Sequence, residues 1–263
     1  MDLKLKNKIA LVTGASRGLG YAAARGLALE GARVALNSRN PEKLSTAALA
    51  LQKETGSQVI ALPGDVADPA VPERIVRQTV EAFGGLDLLV TNAGGPPPGK
   101  FEGIDDATWQ RAIELSLMSH VRLIRAALPH LRKSSAASVL AITSYSVKQP
   151  IPNLLLSNSV RAATVGLIKT LALELGSDGI RFNSILPAWT ETERIYELTT
   201  ARAKANGTTV EEEIQKQAKD SPLGRMGTTE EFANPAVFLL SPAASYLTGV
   251  MLTVDGGLYK GTL

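Results

Sequence analysis

The chain has 263 residues, of which 44% are hydrophobic and 20% are charged, a composition typical of one ordinary globular domain. It contains no cysteine and only His120 and His130, so disulfides and thiolate metal sites are excluded and a zinc cluster cannot be built. The net charge of +3 comes from basic residues scattered among acidic ones, which argues against a nucleic-acid partner. Without a bilayer-length apolar run or a signal-peptide pattern, the sequence predicts a cytoplasmic protein with no membrane partner.

Short apolar runs alternate with longer helical patterns along the whole chain. The alternation predicts an α/β fold in which a parallel sheet is covered by helices on both faces. The predicted strands lie at 8–13, 33–37, 58–62, 86–90, 137–142, 180–186 and 250–254. The predicted helices lie at about 17–30, 41–55, 69–83, 106–132, 154–175 and 229–240.

The first predicted strand leads into a glycine-rich turn, Thr13-Gly14-Ala15-Ser16-Arg17-Gly18-Leu19-Gly20, which opens the first predicted helix. This context is typical of a phosphate-binding turn. Gly14 can take backbone angles closed to other residues, Gly18 permits close approach to a pyrophosphate, and Gly20 permits tight packing of the helix. The helix start offers free N–H groups to an anion. An ordinary glycine-rich turn is the alternative interpretation.

Residues 191–227 interrupt the alternation with two helical patterns, at roughly 191–205 and 209–219. Two capping boxes are predicted to begin helices, Thr208 with Glu211 and Thr228 with Glu231. Because the segment follows the sixth strand, at the carboxyl edge of the sheet, we interpret it as a helical substrate lid. A surface excursion without function is the alternative.

Further motifs follow in order: Asp65-Val66, Asn92-Ala93-Gly94, a turn at Pro187, Thr192, and Val254-Asp255-Gly256-Gly257 near the end. With the glycine turn, they resemble the short-chain dehydrogenase/reductase family over nearly the whole chain. The resemblance implies a single Rossmann-type doubly wound domain over residues 1–263, with a seven-stranded parallel sheet. It also implies a nicotinamide dinucleotide, a small-molecule substrate, and a homotetramer or dimer. The cofactor residues it implies are Gly14, Ser16, Gly18, Leu19, Gly20, Asp65, Val66, Asn92, Ala93, Gly94, Pro187, Thr190 and Thr192.

The end of the second predicted strand indicates which dinucleotide is bound. NAD preference requires a carboxylate there to hold the ribose 2′-hydroxyl, and this chain has Ser38 followed by Arg39. Arg39 can bind a 2′-phosphate as a fork, and Arg17 in the glycine turn favours the same anion. The sequence therefore predicts NADP(H) over NAD(H). The alternative is that Arg39 is a solvated loop residue.

Members of the family pair a Tyr with a Lys four residues later and add a Ser and an Asn. Ser144 matches the Ser, but the expected positions of Tyr, Lys and Asn hold Ser157, Arg161 and Ser116. A Ser hydroxyl is a far weaker acid than a phenol, and Arg does not release its proton. Ser157 and Arg161 share a helix face and can still grip a ribose hydroxyl, a substrate oxyanion or a substrate carboxylate. Arg161 is thus also a cofactor-binding candidate.

Another group can replace the missing acid. Tyr145 follows Ser144 directly, with Lys148 three residues further, and we consider Tyr145 a relocated acid. An alternative of equal weight is that Tyr145 is an aromatic loop residue that packs on the lid. Trp109, Trp189 and Tyr196 are candidate pocket walls. His120 is interpreted as a helix-face or subunit-contact residue rather than a catalyst.

Three functions fit these residues. The first is an NADP(H)-dependent oxidoreductase that reduces a carbonyl or 3-oxoacyl-like group with altered proton delivery. The second is a catalytically silent dinucleotide-binding sensor or partner subunit. The third is a different reaction, on an acidic substrate, with the dinucleotide site retained.

Overall fold

Seven parallel strands form one sheet in the computed structural model, which describes residues 1–262. The strands are β1 (Ile9–Val12), β2 (Arg33–Ser38), β3 (Val59–Pro63), β4 (Leu88–Thr91), β5 (Ser138–Ile142), β6 (Arg181–Pro187) and β7 (Met251–Val254). Their order is β3-β2-β1-β4-β5-β6-β7, and every neighbouring pair is parallel. Each strand lies within two residues of its prediction, which confirms the predicted α/β fold class.

Helices cover both faces of the sheet. They are α1 (Gly18–Leu29), α2 (Pro41–Thr55), α3 (Val71–Phe83), α4 (Asp106–Ile113), α5 (Ser119–Leu131), α6 (Leu155–Glu174), α7 (Glu193–Asn206), α8 (Val210–Asp220) and α9 (Thr229–Leu240). One core layer joins α1, α2 and α9 to the sheet, and the other joins α3, α5 and α6. None of the helices within residues 1–262 combines the length and hydropathy needed to cross a membrane.

The central strands are buried on both faces, which explains why the sequence reveals them clearly. All four residues of β1 are apolar and buried, and all five residues of β5 are buried. A strand covered on two sides needs apolar residues at successive positions rather than at alternate ones. The chain winds outwards from β1 through β2 to β3, then returns to place β4 on the other side of β1.

The predicted helix at 106–132 is not continuous. A π-helical turn, Glu114–Met118, separates α4 from α5. A π turn inserts an extra residue and re-aims the side chains within it, a change that helical periodicity does not reveal. This turn matters for the site because it contains Ser116.

The segment of residues 191–227, called the helical arm below, contains α7 and α8. The predicted capping box at Thr208 is wrong by one residue. Thr209 begins α8 and forms the box with Glu212, while the Thr208 hydroxyl donates to the Glu213 carboxylate at 2.8 Å. The box of Thr228 with Glu231 at the start of α9 is confirmed.

Candidate active site

A cleft of about 430 Å³ lies at the carboxyl ends of the strands, next to the neighbouring pair β1 and β4. This is the topological switch point of the sheet, where ligands bind in doubly wound folds. All the predicted site residues except Gly20 and Ser116 line it: Gly14, Ser16, Arg17, Gly18, Leu19, Ser38, Arg39, Asp65, Val66, Asn92, Ala93, Gly94, Ser144, Tyr145, Ser157, Arg161, Pro187, Thr190 and Thr192.

The glycine turn has the geometry of an anion cradle. Gly14 and Gly18 both have φ of +60°, a left-handed conformation that side chains rarely adopt. No side chain caps the start of α1, and its first turn contains no acidic residue, so its N–H groups face the cleft without an internal anion. A Cβ at Gly20 would lie 2.4 Å from the Gly14 carbonyl oxygen, so this position holds the turn close to the helix rather than lining the cleft.

Asn92 joins the turn to the end of β4. The Thr13 hydroxyl donates to the Asn92 carbonyl at 2.7 Å, and the Asn92 N–H donates to that hydroxyl at 2.9 Å. The Asn92 side-chain amide donates to the Gly14 carbonyl at 3.3 Å. Asn92 therefore fixes the floor of the cleft at the point where two neighbouring strands end.

The end of β2 supplies a polar pocket at one side of the cleft. Ser38 is buried, and its hydroxyl has no hydrogen-bond partner among residues 1–262. Arg39 is exposed, with Nη1 3.8 Å from a carboxylate oxygen of Asp65. Lys43, which sequence reasoning missed, also lines the pocket from the first turn of α2. The orphaned hydroxyl and the glycine cradle fit a dinucleotide laid across this edge of the sheet.

Arg17 contacts the helical arm. Its guanidinium forms ion pairs with Glu193, and with Glu197 at 3.3 Å, both on α7. The positive charge of Arg17, which the sequence predicts to favour a 2′-phosphate, is therefore shared with two carboxylates. These ion pairs tie the glycine turn to the arm across the mouth of the cleft.

Ser144, Ser157 and Arg161 line the part of the cleft at the end of β5. Ser144 follows β5, and its hydroxyl accepts from the Ser146 N–H at 3.1 Å. Arg161 is buried one helical turn beyond Ser157 in α6. Its Nη1 donates to the carbonyls of Ile142 at 3.3 Å and Thr143 at 3.2 Å, which anchors the guanidinium at the end of β5.

Ser116 does not join this group, contrary to the prediction. Its hydroxyl is buried without a hydrogen-bond partner among the described residues, and Leu115 lines the cleft in its place. The physical reason is the π turn, in which the Ser116 carbonyl accepts a 2.5 Å hydrogen bond from the Thr164 hydroxyl of α6. Ser116 therefore lies buried in the π turn between α4 and α5, where it packs against α6.

Comparisons with known proteins agree with this geometry. The enoyl-(acyl carrier protein) reductase family matches residues 14–259. Human dehydrogenase/reductase SDR family member 4 is 32% identical over 254 residues, which cover 96% of this chain and 88% of that protein. The chain belongs to the short-chain dehydrogenase/reductase family. As a short-chain dehydrogenase/reductase, it is an NAD(P)-dependent oxidoreductase.

Two other relatives match this short-chain dehydrogenase/reductase over almost its whole length. L-rhamnose 1-dehydrogenase (NAD(P)(+)) of Sphingomonas sp. strain SKA58 is 34% identical over 256 residues, 97% of each chain. The crystal structure of L-sorbose reductase from Gluconobacter frateurii, complexed with NADPH and L-sorbose, is 35% identical. It superposes with a TM-score of 0.95 over 99% of this chain and 100% of that one.

Tyr145 is a wall of the cleft in this short-chain dehydrogenase/reductase. Its ring meets Trp189 edge to face, with centroids 6.2 Å apart. Burial, with a smaller contribution from Asp220, raises the pKa of Tyr145 to about 12. The Lys148 ammonium, three residues further along the chain, lies 5.0 Å from the centroid of the Tyr259 ring.

His120 is a core residue of this short-chain dehydrogenase/reductase. It lies in α5, only 2% exposed, and its Nδ1 lies 2.7 Å from the Thr91 hydroxyl. The interpretation as a helix-face or subunit-contact residue is therefore wrong. Burial, assisted by the positive charge of Arg161, lowers the pKa of His120 to about 3, so the ring is neutral near pH 7.

Because the buried ring of His120 is neutral, we expect the stability of the fold to decrease as the pH is lowered. The unfolded chain protonates His120 below about pH 6.5, whereas the folded chain does so only near its depressed pKa. We expect the stability advantage of the wild type over His120→Gln to be about 1.4 kcal/mol smaller at pH 5.5 than at pH 7.5. Urea unfolding of both proteins at the two pH values measures it. An advantage that is equal at both would contradict a neutral buried ring.

Proposed function

We propose that the chain is an NADP(H)-dependent oxidoreductase that reduces the carbonyl group of a small molecule, with altered proton delivery. One observation carries the proposal. The cleft has the uncapped N-terminus of α1 at the glycine turn, and it has the buried Ser38 hydroxyl, which lacks a hydrogen-bond partner within residues 1–262, at the end of β2. Arg39 and Lys43 add positive charge beside that hydroxyl, which favours a 2′-phosphate over a 2′-hydroxyl. The NADPH bound by the similar L-sorbose reductase supports the same preference.

Within the cleft, the residues of this chain have separate roles. The glycine turn, Asp65, Asn92 and Thr192 would hold the dinucleotide, which would supply a hydride when bound. The Ser144 hydroxyl polarises the substrate carbonyl, and the positive charge of Arg161 stabilises the negative charge that develops on its oxygen. Ser157 hydrogen-bonds to a hydroxyl of substrate or ribose. The helical arm, whose residues Thr192 and Arg194 line the cleft, acts as a lid.

Altered proton delivery follows from the residues at the family positions. Ser157 and Arg161 replace the Tyr and Lys that the family pairs, and neither releases a proton near neutral pH. Tyr145, which stays protonated because burial raises its pKa to about 12, is the phenol that lines this cleft. In the proposed reaction the carbonyl carbon would gain the hydride supplied by bound NADPH, and the carbonyl oxygen would gain the proton of the Tyr145 hydroxyl. Solvent would then return a proton to the Tyr145 phenolate.

A silent dinucleotide-binding protein is the second candidate. The Arg161 guanidinium donates hydrogen bonds to the carbonyls of Ile142 and Thr143. These bonds hold the guanidinium in place for ligand binding and involve no proton transfer, which favours this candidate. It is also favoured by the raised pKa of Tyr145, since a phenol with a pKa of about 12 is a weak acid.

NADPH binding and NADPH oxidation, measured separately, distinguish the two. Fluorescence titration gives the dissociation constant, and loss of absorbance at 340 nm follows turnover across ketones, aldehydes, imines and enoyl compounds. We expect binding together with oxidation by at least one carbonyl compound. Binding without oxidation across the whole panel would favour the sensor, and absent NADPH binding would contradict both.

A further inference from the structure

Two arginines approach one point in the cleft. A Cβ atom built on Gly95 would lie 3.5 Å from Nη2 of Arg194 and 3.9 Å from Nη2 of Arg161. Gly95 and both arginines line the cleft together with Ser144 and Ser157. Two guanidiniums repel each other at such range unless an anion lies between them.

Arg161 has no acidic partner in the described part of the chain. None of the ion pairs among residues 1–262 includes it, and its hydrogen bonds are those from Nη1 to the two carbonyls at the end of β5. Burial, followed by repulsion from Arg194, lowers its pKa to about 10, which leaves it charged near pH 7. A buried cation without a counter-ion is costly, so a ligand anion would be bound strongly here.

Arg194 is only partly neutralised. Its Nη1 lies 3.7 Å from a carboxylate oxygen of Glu197, and that carboxylate also accepts from Arg17. Its Nη2 donates to the Pro96 carbonyl at 3.4 Å, a long hydrogen bond. The guanidiniums of Arg17 and Arg194 thus share the carboxylates of Glu193 and Glu197, and Arg161 contacts neither carboxylate. One positive charge is left over at the Gly95 side of the cleft.

We propose that Arg161 and Arg194 bind the carboxylate of the substrate, which makes the substrate an oxo acid. This inference rests on the proposed function, because it assigns the substrate class of the same cleft. Planar guanidinium forks match the two oxygens of a carboxylate, and the missing side chain at Gly95 leaves room between them. Ser157 lies one helical turn before Arg161 in α6, and Ser144 directly follows Thr143, whose carbonyl accepts from Arg161, so a carbonyl on the same small molecule can reach both hydroxyls.

Matched pairs of acids and esters test the site without turnover. The probes are 2-oxobutanoate, acetoacetate and 4-oxopentanoate, each compared with its methyl ester, which keeps the carbonyl and removes the charge. Isothermal titration calorimetry with and without saturating NADP⁺ gives each dissociation constant. The test variant is Arg194→Gln, and the matched control is Arg225→Gln, an exposed arm arginine paired with Glu231.

We expect at least one acid to bind the wild type about 10-fold or more tightly than its ester, and Arg194→Gln to remove that preference. The ester, NADP⁺ and the Arg225→Gln control should stay within about threefold of the wild type. If no acid is preferred, the site does not exist. If Arg194→Gln instead weakens NADP⁺ while the preference persists, the arginine binds the cofactor diphosphate and the proposal is wrong. Failure of hydride transfer alone leaves these binding constants unchanged, so the two proposals fail separately.

Discussion

The double substitution Ser157→Tyr with Arg161→Lys is expected to raise NADPH-dependent carbonyl reduction by about 10²–10⁴-fold. Both positions line the same cleft as Ser144, so the new phenol and ammonium would enter the site whose Ser144 hydroxyl we propose to polarise the carbonyl. The ammonium lowers the pKa of the neighbouring phenol, and a positioned general acid then meets the developing oxyanion. The measurement is kcat/KM for the best substrate of the carbonyl panel.

Two matched variants separate acid catalysis from other effects. Ser157→Phe with Arg161→Lys has the same ring without the hydroxyl, and we expect it to lack the gain. Tyr145→Phe in the otherwise native chain removes the proposed donor, and unchanged turnover would exclude Tyr145 from proton delivery. Each variant is first titrated with NADPH, so that loss of cofactor binding is not mistaken for lost chemistry. A double substitution without any gain would contradict the proposal that proton supply limits this enzyme.

The sheet could be predicted from sequence because its strands are continuous apolar runs. Residues 9–12 and 138–142 are buried on both faces, so hydrophobicity alone defines them. The cleft followed from the same topology, since parallel strands bring their carboxyl ends to one edge. The glycine turn and the residues after β2 and β4 therefore converge as expected.

Contacts between distant parts of the chain could not be predicted. The pairing of Arg17 with Glu193 joins residues 176 positions apart, and no local pattern specifies it. The π turn that turns Ser116 away from the cleft depends on a hydrogen bond from Thr164 in another helix. Burial of His120 could not be predicted because its buried partner, Thr91, ends a strand elsewhere in the sequence. Adjacent threonines, Thr208 and Thr209, made the helix cap ambiguous by one residue.

Replacing Ser38 with Asp is expected to reverse the cofactor preference. A carboxylate at the end of β2 repels a 2′-phosphate and accepts a hydrogen bond from a 2′-hydroxyl. Ser38 lines the cleft with Arg39 and Lys43, and its hydroxyl has no partner within residues 1–262, so the new carboxylate would lie where we propose that the cofactor 2′-phosphate binds. Loss of one charge-assisted contact predicts a dissociation constant for NADPH about 10- to 150-fold higher, with tighter NADH binding.

Ser38→Ala is the matched control for that substitution, because it removes the hydroxyl without adding charge. We expect it to weaken NADPH by less than about 10-fold, the range of one neutral hydrogen bond. Fluorescence titration of both dinucleotides against the wild type and the two variants gives all six constants. If the wild type binds NADH as tightly as NADPH, the cationic pocket of Arg39 and Lys43 does not select the 2′-phosphate. If Ser38→Asp leaves NADPH binding unchanged, the ribose does not lie at the end of β2.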